Sequence, residues 1–181
     1  MILKNERLIL RPLKNNDAES IVANINNLNI SRWLLLVPHP YSLKNARDWI
    51  KLSQKNWQNK PVENYTFGIE LKSKRGIIGG IEISHVNRDS RTGSVGYWLG
   101  EDYHCKGYGT EALRAVADFA FHRLKLRRLE ACVFDGNPSS GKLLEKIGFV
   151  YEGKKLQAGK CKATGKIHDE NIYGLLGGNY L

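Results

Sequence analysis

Along "GYWLGEDYHCKGYGTEALRAVADFAF", Gly96 to Phe121, the hydrophobic period of the chain changes from that of a strand to that of a helix, and two glycines flanking an aromatic residue stand at the change. Before it, "NYTFGIEL", "RGIIGGIEISHV" and "GSVGYWLG" are β-rich runs parted by the polar turns "KSKR" and "NRDSRTG", the pattern of an antiparallel meander. After it, Leu113, Val116, Ala117, Ala120 and Leu124 recur at helical spacing, with Arg114, Asp118, Arg123 and Lys125 on other faces. A sheet must therefore hand the chain to a helix through a turn almost free of side chains.

The flanking segments fill out the same plan. "RLILRPL" (Arg7 to Leu13) reads as a strand ended by Pro12. In "NNDAESIVANINN", Asp17 or Asn16 is the expected N-cap of a helix carrying Ile21, Val22 and Ile25, and Ser42 opens a second helix with Ala46, Trp49 and Ile50 on one face. "LEACVF" (Leu129 to Phe134) is a buried strand. "NPSSGKLLEKIGF" is a short helix with Asn137 as N-cap, Pro138 at its first position and Gly148 just past its end. "ENIYGLL" is a last strand. With no repeat, low-complexity tract or linker, the reading is one α+β (mixed α/β) domain over residues 1–181, built on a single central sheet.

Bulk properties narrow the setting. The longest apolar runs, such as "WLLLV", fall far short of the roughly 20 residues that span a bilayer, and "MILKNERL" lacks the apolar segment of a signal peptide, so a cytoplasmic location and no membrane partner are expected. Cys105, Cys132 and Cys161 form no CxxC pair and no Cys/His spacing suits zinc, which points to free thiols and no metal. The net charge of +10 implies an anionic partner. Much of the excess sits in "HRLKLRR" and "GKKLQAGKCKATGK", read as solvated helix-end and loop residues.

Gly107, Gly109 and Ala112 match G-x-G-x-x-G/A, and Glu130 follows at about the distance of a ribose-binding acid. Against a dinucleotide site, "GEDYHCK" separates the strand from the glycines and Glu130 would start its strand rather than end it. No GK[ST] follows for a Walker loop. Main-chain N–H groups around Lys106 to Thr110 at a helix N-terminus remain a cradle for a pyrophosphate, with an ordinary strand-to-helix loop as the plain alternative.

The segment from Tyr97 to Phe149, with "GYWL", a Gly-rich turn before "TEAL", then N-x-x-S (Asn137 to Ser140) leading into "LEKIGF", resembles the acetyl-coenzyme A signature of the GNAT N-acetyltransferase superfamily. "ERLILRPL", "PHPYSLKNARDWI" and "HDENIYGLL" are similar to the branch that acetylates the N-termini of ribosomal proteins. The resemblance implies a GNAT-type fold: a central, mostly antiparallel sheet, splayed open near "SVGYWLG" and flanked by helices. It implies acetyl-CoA as cosubstrate, its pantetheine lying along the main chain of Tyr97, Trp98 and Leu99 and touching Asn137. The pyrophosphate would meet the turn His104, Cys105, Lys106, Gly107, Tyr108, Gly109 and Thr110. His104 stands where the family pattern has Gln or Arg, and its imidazole brings less charge than Arg.

On the same resemblance Ser140 donates a proton to the departing thiolate, capping being the plain alternative for Ser140 and Asn137. The family's acid after "EG" is missing from "KKLQAGKCK". Glu82, facing opposite to Ile81 and Ile83, is the first candidate for general base, beside Asp169, Glu170 and solvent through a water chain. An acyl-cysteine route through Cys105 or Cys132 lacks a His at diagnostic spacing. The expected reaction is direct acetyl transfer to an amine, the α-amine of a protein or peptide N-terminus beginning with Ala or Ser, because an α-amine titrates near 7.7–8.0 against about 10.4 for lysine. Ribosome association through the basic surface and a monomer or homodimer complete the expectation. A polyamine or other small-amine acetyltransferase, or a non-catalytic RNA-binding domain of the same fold, are the alternatives.

Overall fold

The computed structural model describes residues 1–180. Its strands are β1 (Leu3–Lys4), β2 (Leu8–Arg11), β3 (Tyr65–Leu71), β4 (Lys74–Asn87), β5 (Thr92–Leu99), β6 (Arg128–Phe134), β7 (Val150–Lys160) and β8 (Ile167–Leu176). They form one sheet in the order β1-β2-β3-β4-β5-β6-β8-β7. Every pairing is antiparallel except β5 with β6. The helices are α1 (Ala18–Ile25), α2 (Leu28–Ser31), α3 (Leu43–Gln58), α4 (Tyr108–Asp118) and α5 (Pro138–Ile147).

The sheet carries a core on each face. Phe67, Ile81, Ile83, Val95, Leu129, Ala131 and Val133 pack with the apolar stripes of α4 and α5, whereas Trp98 and Ile77 pack with Ile21 and Ile25 of α1 and Ala46 and Ile50 of α3. Two boundary signals hold as expected: Ser42 accepts from the Asn45 N–H, and Gly148 ends α5 at φ +104°, a left-handed value that favours glycine.

Two expectations are corrected. Asp17 stands at the N-cap position of α1 as expected, but its carboxylate makes no capping bond to that helix. Its carboxylate accepts from both terminal nitrogens of the Arg11 guanidinium, each at 2.8 Å, and from the Lys14 N–H at 2.7 Å, so its oxygens serve a buried ion pair instead. The lysine-rich stretch after Gly153 is only in part a loop: Val150–Lys160 is an edge strand hydrogen-bonded along β8, and residues 161–166 form the turn that follows. Its residues are almost all exposed, so no apolar alternation marks it, and edge lysines are a common guard against unwanted strand pairing.

Candidate active site

The site begins where the sheet opens. β5 and β6 pair only at Thr92–Arg128, Gly93–Leu129 and Ser94–Glu130, after which they separate although both strands continue. The Gly100 N–H donates to the Ile78 carbonyl, so by strand alternation Trp98 and Gly96 point their main-chain groups at β4 while Tyr97 and Leu99 point theirs into the gap. The Leu99 carbonyl is already occupied by His104 Nε2 at 3.0 Å. Trp98, expected beside the pantetheine, turns its main-chain groups to β4 and buries its indole against α1 and α3, so it only backs the site.

The two sides of the gap carry different chemistry. Directly opposed residues share a face, so Thr66, Glu82 and Gly96 lie on the α1/α3 face while Tyr97 lies on the α4/α5 face. Tyr97 Oη is 2.8 Å from Ser140 Oγ and 3.2 Å from the Ser140 carbonyl, tying the free part of β5 to the first turn of α5. Burial pushes the Tyr97 phenol up to about 12, with the Ser140 hydrogen bond pulling it back. The capping alternative therefore divides: Asn137 Oδ1 caps α5 by accepting from the Ser140 N–H at 3.3 Å, and the Ser140 hydroxyl is left for Tyr97. Sequence reasoning saw only the main chain of Tyr97, because nothing local links residues 43 positions apart.

On the other face the half-buried Glu82 carboxylate accepts from the Thr66 hydroxyl at 3.0 Å. Gly96 opposite it has open space, a Cβ there meeting nothing within 4 Å. The pairing Ser94–Glu130 puts Glu130, Cys132 and Phe134 of β6 on this same face. Phe134 stacks on His168 with ring centroids 4.6 Å apart, and Trp33 stands 6.4 Å from His168. Asp169 lies apart, accepting from the Gln157 N–H, whereas Glu170 opposes Phe134 and shares its face. Partial burial, then the Glu170 carboxylate, push the Cys132 thiol up, away from the thiolate a covalent route would need.

Past β5 the turn expected to hold phosphates is exposed through Lys106 and Gly107. Gly107 takes φ +80° as the residue before α4, and Cys105 takes +57°. No side chain caps α4, so the N–H groups of Tyr108, Gly109 and Thr110 open its N-terminus and could hold an anion aided by the helix dipole. Gly109 answers a packing need: a Cβ there would stand 2.6 Å from Leu143 Cδ1 of α5. The gap and the amides together suit a thioester on a long phosphorylated arm.

A family model for an acetyltransferase (GNAT) domain matches residues 7–150. The chain belongs to the GNAT acetyltransferase family. It is an N-acetyltransferase with acetyl-CoA as acyl donor, and its open eight-stranded sheet flanked by helices is the fold of that family. Two relatives come from Bacillus subtilis (strain 168): "Probable N-acetyltransferase YjcK", 32% identical over 97% of this chain and 97% of its own, and "Putative ribosomal N-acetyltransferase YdaF", 29% identical over 95% and 92%. A solved spermidine N-acetyltransferase from Vibrio cholerae, in complex with CoA and spermine, aligns over 97% of this chain and 99% of its own at TM-score 0.80 and 25% identity. Among the described residues no helix is long and apolar enough to cross a membrane, and no group of three or more His, Cys, Asp or Glu side chains could hold a metal.

Proposed function

We propose that this GNAT acetyltransferase acetylates the α-amine at the N-terminus of a protein, of the ribosomal-protein type, by direct transfer through the gap between β5 and β6. The observation that carries the direct transfer is the arrangement across that gap: a carboxylate, Glu82, on one face with open space beside it at Gly96, and a hydroxyl pair, Ser140 and Tyr97, on the other.

Acetyl-CoA supplies an activated thioester. The main chain of Tyr97 offers an unpaired strand edge to its pantetheine, and the amides of Tyr108 to Thr110 receive its pyrophosphate. Asn137, its Oδ1 engaged in the cap, has its Nδ2 donor left for the arm. His104, Cys105 and Lys106 shape the turn, His104 through the Leu99 carbonyl rather than as a charge. On the other side the acceptor amine loses its proton to Glu82 or to a water held there, and its nitrogen forms the N–C bond as the C–S bond breaks. The Ser140 hydroxyl then gives its proton to the leaving sulfur and is reprotonated from Tyr97 or solvent. Holding the amine against an already activated acyl group supplies much of the rate.

For the acceptor, support comes from the low demand an α-amine makes on the base and from the name of the YdaF relative. Polyamine acetylation is the second reading. It is favoured by Glu82, Glu130 and Glu170 sharing the acceptor face, and by the spermidine enzyme of the same fold. The test is competition among an Ala- or Ser-initiated N-terminal peptide of a ribosomal protein, the same peptide blocked at its α-amine but carrying lysine, and spermine. The free peptide is expected to have the highest kcat/KM, and preference for spermine or the blocked peptide would replace this reading by the second.

A further inference from the structure

The turn before α4 adopts left-handed backbone at Cys105 and Gly107, and no regular ladder holds it. Its brace comes from the other end of the chain. Arg7, just ahead of β2, donates from Nη1 to the Lys106 carbonyl at 3.0 Å and from Nε to Glu111 Oε2 at 2.8 Å, while its main-chain N–H donates to Glu111 Oε1 at 2.7 Å. The guanidinium also lies over the Tyr108 ring, 4.6 Å from its centroid, and Asn5 Nδ2 donates to the Glu111 carbonyl at 3.1 Å.

We propose that Arg7 and Glu111 act as one positioning device for the acyl donor, fixing the turn so that the amides of Tyr108 to Thr110 converge on the phosphates. The proposal rests on the reading of that turn as the phosphate cradle. Two electrostatic needs are met by the same guanidinium. The Lys106 carbonyl would repel a phosphate if it were free to face one, and Arg7 Nη1 holds it. A carboxylate in the first turn of α4 suits the helix dipole but opposes a bound anion, and the ion pair with Arg7 neutralises it. A lysine could not span both partners, because only the planar fork presents several donors at fixed angles.

The test sets Arg7→Gln, Glu111→Gln and the double variant against wild type, with acetyl-CoA and with acetyl-pantetheine, which lacks the pyrophosphate. Each single variant should raise KM for acetyl-CoA about tenfold, the scale of one charge-assisted hydrogen bond, and the double variant no further. The rate at saturating acetyl-CoA should stay within about twofold, and the tenfold loss should shrink to less than about twofold with acetyl-pantetheine. Unchanged or tighter acetyl-CoA use by Glu111→Gln would overturn the proposal, making Arg7 a free cation that acts on the anion directly. So would losses that multiply in the double variant, or a loss as large with acetyl-pantetheine, which would mark a general effect on the fold. Glu111→Gln keeps the side chain's shape, so the outcome does not hang on Arg7→Gln folding well. If wild type uses acetyl-pantetheine as well as acetyl-CoA, the cradle reading fails instead.

Discussion

Replacing Ser140 by alanine separates catalysis from structure more cleanly than the sequence would suggest. The α5 cap survives, because Asn137 accepts from the Ser140 main-chain N–H and not from its hydroxyl. Tyr97 is not orphaned, since its hydroxyl still has the carbonyl of residue 140 at 3.2 Å. The structural cost is then that of one neutral hydrogen bond, about 0.5–1.5 kcal/mol, which lowers Tm by roughly 1–6 °C in a chain of this size. A general acid contributes about 10²–10⁴ in rate, so Ser140→Ala should lower kcat at least a hundredfold while the Kd for CoA moves little. Tyr97, held at about 12 by burial, stays protonated through neutral pH and adds no limb to the kcat profile between about pH 6 and 9. Steady-state kinetics beside calorimetric CoA binding measure both quantities. A kcat within tenfold of wild type, or a Kd that weakens in proportion to kcat, would refute Ser140 as the proton donor.

Gly109→Val should destabilise the protein without any ligand, by about 1–3 kcal/mol, because its side chain must displace Leu143 and crowd Leu99, 3.4 Å from the new Cβ; an unchanged Tm would show that α4 and α5 are packed otherwise. Asp17→Ala should cost about 1.5–3 kcal/mol, the scale of charged hydrogen bonds lost while Glu70 still partners the buried Arg11 guanidinium at 2.7 Å, and a loss below about 1 kcal/mol in denaturant unfolding would contradict that.

The parts of this fold written locally were legible in the sequence. The meander, the period change after Leu99, the Ser42 and Asn137 caps and Gly148 each depend on residues within a few positions of one another. What escaped depends on distance or on exposure. Asp17 reads as a cap until Arg11 folds back on it, and β7 carries no apolar signal because almost nothing in it is buried. In the proposed site, the turn and the N-x-x-S motif were visible in the sequence, but the Tyr97–Ser140 contact and the Arg7 brace join residues 43 and about 100 positions apart. Gly109 shows the opposite hazard, a motif glycine whose missing side chain makes room for Leu143.

Charge is where whole-chain reasoning misleads most. A net +10 argues against a cationic acceptor only if the acceptor feels the whole molecule, and at physiological ionic strength exposed charges beyond roughly 8 Å are largely screened. In the proposed site an amine beside Gly96 would stand against Glu82 on the neighbouring strand, with Glu130 and Glu170 further along the same face. Glu130 is shared with Arg128 at 3.2 Å, whereas Glu82 has the Thr66 hydroxyl. Lys155 opposes Glu170, so it is the field beside Glu82 that favours a cation whichever molecule carries it, and repulsion by distant lysines does not exclude a polyamine. Selection between a peptide and a polyamine then falls to the groups attached behind the amine: a polyamine repeats its charge and suits the carboxylates, whereas a peptide brings amide groups and a side chain that can pack on Phe134, His168 and Trp33.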